Sequence, residues 1–330
     1  MERLLEPILE LHDRIRAAVV DACARTPSDR LAAVAPNTTG GESAGDTTYT
    51  IDRVSEETLR QGLADLARDE PLCLVAEGIS GGSLVLPRGA REEDCSWRLL
   101  VDPIDGTRGL MYQKRSGWIL TGVAANRGAA TRLRDIELAV QTEIPLLKQH
   151  LGDQLWALRD RGMEARRCNR LSGAVERLTL RPSATDTIAH GFATVVRFFP
   201  GARDVLAAID DEIAHTLVPP SPGRAACFED QYASTGGELY ELMAGHDRFV
   251  ADLRPLVQAV RGLCCHPYDL CTALIAEEAG VILTDATGMP VDAPFDVTTD
   301  VAWIGYANER LRRAVEPVLQ AALRRHGLLP

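Results

Sequence analysis

Aromatic residues are scarce in this chain, at 5% of 330 positions, which argues against a ligand held mainly by ring stacking. Excess positive charge is absent as well. The formal net charge is -11, a field that repels nucleic acid and gives no help at an anionic membrane. No run approaches the roughly 18 consecutive apolar residues of a membrane-spanning helix. The start, Met1-Glu2-Arg3-Leu4-Leu5-Glu6-Pro7, lacks a basic region followed by a long apolar stretch, so a cytoplasmic protein is expected. A disulfide framework is not indicated either. Cys23, Cys73, Cys95, Cys168, Cys227, Cys264, Cys265 and Cys271 are scattered, and Cys73 sits between Leu72 and Leu74, as reduced thiols do. Internal repeats and low-complexity tracts are missing.

What is present is ordinary globular material. Hydrophobic residues at 45% and charged residues at 25% suffice for one large core or two closely packed ones. Helical spacing of Leu4, Leu5, Ile8, Leu9, Leu11, Ile15, Val19 and Val20 predicts a first helix over 4–24. Residues 26–48, with Pro36-Asn37-Thr38-Thr39-Gly40-Gly41, read as a mobile loop. A second helix is expected over 52–68, a short strand over 72–76 ending at Glu77, and an exposed loop or hairpin over 78–94. Strands are expected at 98–101 and 118–125. The stretch 132–224 gives little beyond strands at 154–158 and 192–198 and a helix at 202–217. Further on come a helical fragment at 239–244, a strand at 248–251 and a helix over 269–279 closed by Gly280. Strands at 281–284 and 301–306 precede a final helix capped by Asn308. Strands and helices so mixed argue an α/β or α+β fold.

One segment carries more chemistry than the rest: Trp97-Arg98-Leu99-Leu100-Val101-Asp102-Pro103-Ile104-Asp105-Gly106-Thr107. An apolar strand delivers two carboxylates into a turn that Pro103 stiffens and in which Gly106 permits close backbone approach. Carboxylates so close repel unless protonated or bridged by cations, and hard oxygen ligands on a tight turn suit Mg2+. A plain strand-end turn is the alternative, since Asp, Pro and Gly are common there. Two other candidates are weaker. Cys264-Cys265-His266 is not usual structural-zinc spacing, and Gly78-Ile79-Ser80-Gly81-Gly82-Ser83 lacks the Lys of a phosphate loop.

The string Asp102-Pro103-Ile104-Asp105-Gly106-Thr107 resembles the signature of the lithium-sensitive phosphatases typified by inositol monophosphatase. Three more segments resemble that family in the same order. They are Thr50-Ile51-Asp52-Arg53-Val54-Ser55-Glu56, Val75-Ala76-Glu77-Gly78, and Pro267-Tyr268-Asp269-Leu270-Cys271-Thr272-Ala273 with its continuation to Asp285. The resemblance covers roughly 47–311 and is weak over 132–224.

It implies a single catalytic domain over 1–330, a layered alternation of helices and sheets, with most metal ligands in about 1–140 and Asp269 and the substrate contacts in about 150–330. It further implies two to three Mg2+. Glu77, Asp102 and the carbonyl of Ile104 would hold one; Asp102, Asp105 and Asp269 would hold a second; a third, weaker one would lie near Glu77. Thr107 with Asp52 would activate water, and the backbone of Gly106 and Thr107 would receive phosphate. Asp52 and Asp269 also stand where helix caps do. Ser234, Thr235 and Asp252 are the expected substrate contacts, Asp252 accepting sugar hydroxyls. The expected activity is hydrolysis of an inositol or similar polyol monophosphate by a homodimer. The alternatives are a 3'(2'),5'-bisphosphate nucleotidase, a fructose-1,6-bisphosphatase, or a catalytically silent binding protein on the same fold. Departures bear on the substrate: Arg108-Gly109-Leu110 resembles the nucleotidase version of the motif, Tyr268 replaces a Trp, and Cys271-Thr272 replaces Ala-Ala. Arg108 with Lys114-Arg115 would suit a second phosphate; solvated loop charges are the alternative reading of the same residues.

Overall fold

The computed structural model describes every residue except 35–48, 69, 80–81, 220–221 and 258–263, and most of the expected loop over 26–48 therefore lies outside the described residues. Helix α1 (Glu2–Arg25) buries Leu4, Ile8, Leu9, Leu11, Ile15 and Val19, the apolar stripe its sequence spacing sets out. A short α2 (Ser28–Leu31) follows, and then α3 (Thr50–Leu66), which packs beside α1 through Ile51, Leu59 and Leu63. Among the described residues, no helix is long and apolar enough to cross a membrane.

Both helices lie on one face of an eight-stranded sheet. Its strands are β1 (Leu72–Ala76), β2 (Ser83–Leu86), β3 (Trp97–Asp105), β4 (Gly117–Ala125), β5 (Ile136–Ile144), β6 (Leu151–Leu158), β7 (Met163–Asn169) and β8 (Val175–Leu178), with the five-residue helix α4 (Thr107–Met111) between β3 and β4. The order is β2-β1-β3-β4-β5-β6-β7-β8. β1 and β3 run parallel and the remaining neighbours antiparallel. The stretch 78–94 is thus a hairpin arm, with β2 folded back on β1. β5 to β8 form an antiparallel ribbon where sequence reading found one short strand. The reason is visible in β7 and β8, Met-Glu-Ala-Arg-Arg-Cys-Asn and Val-Glu-Arg-Leu, which stay largely half-buried or exposed and carry no apolar alternation.

The second sheet holds β9 (Phe192–Val195), β10 (Asp247–Asp252), β11 (Ile282–Thr284) and β12 (Trp303–Tyr306) in the order β11-β12-β10-β9. Helices α5 (Arg203–Leu217) and α9 (Glu309–Arg325) cover its outer side through Leu206, Ile209, Leu311 and Val315. Asn308 caps α9, accepting from the N–H groups of Arg310 and Leu311. Between the sheets lie α6 (Thr235–Met243) and α8 (Ala273–Glu278), which touch both, while the short α7 (Arg254–Val257) follows β10. The result is an alternating α/β/α/β/α layering. One expected helix is shorter than its sequence suggests. Residues 269–272 are turns closed by bonds such as Asp269 N–H to His266 O at 3.1 Å, and α8 begins only at Ala273.

Candidate active site

A strand sends the side chains of residues i and i+3 to opposite faces. Asp102 and Asp105 nevertheless converge, because the β3–β4 register slips between them: Asp102 faces Leu120 and Asp105 faces Trp118. The one extra residue in β3 is a bulge that restores the phase. β1 runs parallel to β3 with Ala76 opposite Val101, so Glu77 emerges level with Asp102. Asp269 arrives from the turn before α8. Oxygens of Asp102, Asp105 and Asp269 all lie within 4.8 Å of one another.

Hydrogen bonds from several described residues reach this cluster. Asp102 and Asp105 are each 7% exposed. Asp102 accepts from Ile104 N–H at 3.0 Å. Asp105 Oδ2 accepts from Ser234 Oγ at 2.8 Å and Gly236 N–H at 2.6 Å. Asp269 Oδ2 accepts from the His266 backbone N–H at 2.6 Å, and Glu77 accepts from the Tyr268 hydroxyl at 3.3 Å. Burial, then the charges of Asp105, Asp269 and Glu77, push the Asp102 carboxyl well above the usual carboxylate range. Burial and Asp269 push Asp105 up to about 7, against the pull of its bonds to Ser234 and Gly236. Buried carboxylates that raise one another in this way, with hard oxygen donors converging, form a donor set that fits a divalent cation.

Asp52 approaches from the start of α3 and does two things. Its Oδ2 accepts from Tyr49 N–H at 2.7 Å, a helix-capping bond, and its Oδ1 lies 3.1 Å from the Thr107 hydroxyl. That hydroxyl is also 2.8 Å from the carbonyl of Ile104. Thr107 opens α4, and Gly106 before it has φ +81°, a left-handed conformation that favours glycine. A Cβ there would also come within 2.9 Å of Ser234.

One cavity gathers Asp52, Glu77, Asp102, Ile104, Asp105, Gly106, Thr107, Ser234, Thr235 and Asp269. Of the residues singled out by sequence, Asp252 does not line it. Asp252 is fully buried at the end of β10, where Arg254 Nε donates to its Oδ1 at 2.8 Å and Arg254 Nη2 to its Oδ2 at 2.5 Å. Arg254, not Asp252, reaches the cavity. Ser234 is 2% exposed and spends its hydroxyl on Asp105. Of Arg108, Lys114 and Arg115, Arg108 lines the cavity, whereas Arg115 pairs with Asp230.

Tyr49, Phe198, Phe199 and Arg254 line the cavity without having been singled out by sequence, and Glu56 and His266 line it without a role assigned there. Burial raises the Glu56 carboxyl despite Arg60 and Arg53. His266 stacks on Tyr268 with ring centroids 5.5 Å apart. Burial lowers its tendency to hold a proton, but Asp269, Asp300 and Glu77 together raise it above the ordinary value. The sequence placed His266 in the weaker Cys264-Cys265-His266 zinc candidate, not beside the carboxylates it faces; Phe198 and Phe199 had no signal beyond their rarity.

No protein-family model matches the chain, and comparison with curated proteins finds no match. Solved structures do match in fold. A hypothetical protein from Pyrococcus horikoshii with similarities to inositol-1 monophosphatase aligns over 96% of this chain and 98% of its own, with TM-score 0.63 and 16% identity. Fructose-1,6-bisphosphatase of Leishmania major aligns over 97% of this chain and 93% of its own, with TM-score 0.71 and 12% identity. A Thermotoga maritima IMPase aligns over 98% of this chain and 99% of its own, with TM-score 0.61 and 16% identity. The layered α/β architecture is the one that inositol monophosphatase-like and fructose-1,6-bisphosphatase structures share.

Proposed function

We propose that this chain is a Mg2+-dependent phosphoric monoester hydrolase acting on a small-molecule phosphate ester. The observation that carries the reading is the meeting of Asp102, Asp105 and Asp269 within 4.8 Å; the Asp52–Thr107 pair lines the same cavity. Divalent cations held by Asp102, Asp105 and Asp269, with Glu77 and the carbonyl of Ile104 beside them, would supply charge neutralisation for the phosphate and an acidified water.

The remaining work falls to the chain's own groups. When the Thr107 hydroxyl donates to Asp52, its lone pairs are left for the proton of a water. A proton can then pass from water to Thr107 Oγ and from Thr107 to Asp52 Oδ1. Asp52 is held for this by its second oxygen, tied to Tyr49 N–H. Gly106 and Thr107 would present backbone N–H groups to phosphate oxygens at the start of α4. Ser234 and Gly236 fix the rotamer of Asp105 and so its aim.

Inositol monophosphatase and fructose-1,6-bisphosphatase are the activities named for the fold's neighbours, which supports a phosphorylated small polyol or sugar as the substrate class. Phosphate release from phenyl phosphate with Mg2+, lost in excess chelator and restored by the metal, is the expected result. Full turnover in chelator would remove the metal-dependent reading, and no turnover at all would favour a silent binding protein.

A further inference from the structure

A second cavity lies between α1, which contributes Asp13, Arg16, Ala17 and Val20, and the strand ends at Pro145, Gly152 and Cys168. Its volume is about 290 Å³, against about 110 Å³ for the cavity of the carboxylates, and the two share no lining residue. Nothing in the phosphatase reading uses it.

Its lining has two characters. Ala17, Val20, Pro145 and Val175 supply apolar surface, and Val175 is 59% exposed, so a ligand that covers it gains from burial. The charged lining residues are Arg16, Arg170 and Asp13. Two guanidinium groups against one carboxylate leave a net charge of +1, in a chain of -11. The Nε of Arg170 donates to the carbonyl of Gln149 at 2.6 Å, and its Nη2 to that of Leu147, so Arg170 contributes charge and closes the wall. Arg16 differs. Its Nη2 donates to Asp13 Oδ1 at 2.8 Å, while its Nη1 is buried with no hydrogen-bond partner among the described residues. Asp13 is itself held by Gln154 Nε2 at 3.3 Å and Arg166 Nη2 at 3.5 Å, which fixes the edge of Arg16 that it pairs with. An unmade bond of a buried charged donor is costly, and an acceptor entering the cavity would recover it.

The chemistry of that acceptor is narrow. A guanidinium donates and cannot accept. An ammonium would be repelled by the two arginines. A hydroxyl would leave the charge of Arg16 unmet. A phosphate dianion brings more charge than one open donor beside Asp13 can answer. A carboxylate answers it, and its planar oxygens match the guanidinium edge. We propose that this cavity binds a small organic monoanion, a carboxylate with an apolar body, the carboxylate on Arg16 and the body against Val20, Pro145 and Val175. Few polar groups set in an apolar wall are the usual make-up of a small-molecule site.

The test is isothermal titration calorimetry of the full chain, with Mg2+ present, against hexanoate, hexanol, hexylamine and inorganic phosphate. Hexanoate is expected to bind with a Kd of about 1 mM or below, at least about tenfold tighter than each of the other three. Arg16→Gln should weaken hexanoate about tenfold or more. Ala17→Phe is the second arm. It fills the cavity from an exposed position on α1, so it should abolish binding while the melting temperature stays near that of the parent, and it decides the matter even if Arg16→Gln fails to fold. Absence of hexanoate binding would overturn the proposal. Hexanol or hexylamine binding as tightly as hexanoate, or phosphate binding more tightly, would overturn the carboxylate assignment. Hexanoate binding that survives Ala17→Phe would place the anion elsewhere and overturn the site.

Discussion

Replacing Asp102 by Asn sets two forces against each other. The amide keeps the shape of the side chain and removes the most strongly crowded charge of the cluster. Activity should fall by about 10²-fold or more, while in chelator the variant should melt no lower than the parent, because like-charge repulsion is relieved. An active, metal-dependent Asp102→Asn enzyme would show that another carboxylate holds the centre. Glu238 offers a cleaner electrostatic test away from the cavity. Both of its carboxylate oxygens are buried without a hydrogen-bond partner among the described residues. Burial, then Asp252, raises its carboxyl well above the usual range, against Arg254. Its folded pKa exceeds its unfolded one, so stability is lost as pH rises above about 4.5. Glu238→Gln should therefore gain in melting temperature over the parent at pH 8 and gain little at pH 4; equal differences at both would contradict the assignment. The residues of the site divide along the same physical line. Asp102, Asp105 and Asp269 could be singled out because the short strings that carry them resemble a known signature, although Asp105 takes its hydrogen bonds from Ser234 and Gly236, far away in sequence. Arg254, Phe198 and Phe199 were not, since an arginine after a strand and two phenylalanines in a loop have meaning only once β9 and β10 lie side by side.

At the level of elements, the start of α6 does more than begin a helix. The Ser234 hydroxyl accepts from Gly237 N–H at 2.9 Å and donates to Asp105. Ser234→Ala should thus lose a cap, about 0.5–2 kcal/mol, and also loosen Asp105, seen as weaker metal binding by calorimetry. Gly236 is more exacting. A Cβ there would meet Leu120 Cδ2 at 2.7 Å and Asp105 Oδ2 at 3.0 Å. Gly236→Ala should cost about 1–3 kcal/mol by overpacking and lower activity with it, and a variant with parental melting and turnover would mean that α6 yields easily. The N-terminal helices could be read from periodicity because each has one apolar face, and β3 from a short apolar run, buried on both faces, that leads into Asp102-Pro103. The β5–β8 ribbon could not, since β7 and β8 are held by neighbours' hydrogen bonds rather than by an apolar face of their own. The bulge that turns Asp102 and Asp105 to the same side left no mark in the sequence beyond Pro103.

For the whole molecule, the layered architecture brings carboxylates from β1, β3, α3 and the α8 turn into one cavity of a chain that already carries a net charge of -11. Without metal, folding must accept that crowding, and Asp105, raised to about 7, titrates late. Its folded pKa lies above the unfolded one, so the metal-free protein loses stability as pH rises from about 4 towards 7. A divalent cation needs the same oxygens deprotonated, so its apparent affinity rises over the same interval. Metal should then stabilise most where the metal-free protein is weakest. Saturation at about 100 times Kd is worth about 2.7 kcal/mol. With about 2.1 cal/mol/K per residue over 330 residues, or about 0.7 kcal/mol per degree, that is a rise of about 4 °C in Tm. Scanning fluorimetry at a fixed Mg2+ concentration should show this increment near its full size at pH 8 and shrunken at pH 5. Asp102→Asn should abolish most of it at both. An increment independent of pH, or one that survives in Asp102→Asn, would place the bound cation somewhere other than the converging carboxylates of β3 and the α8 turn.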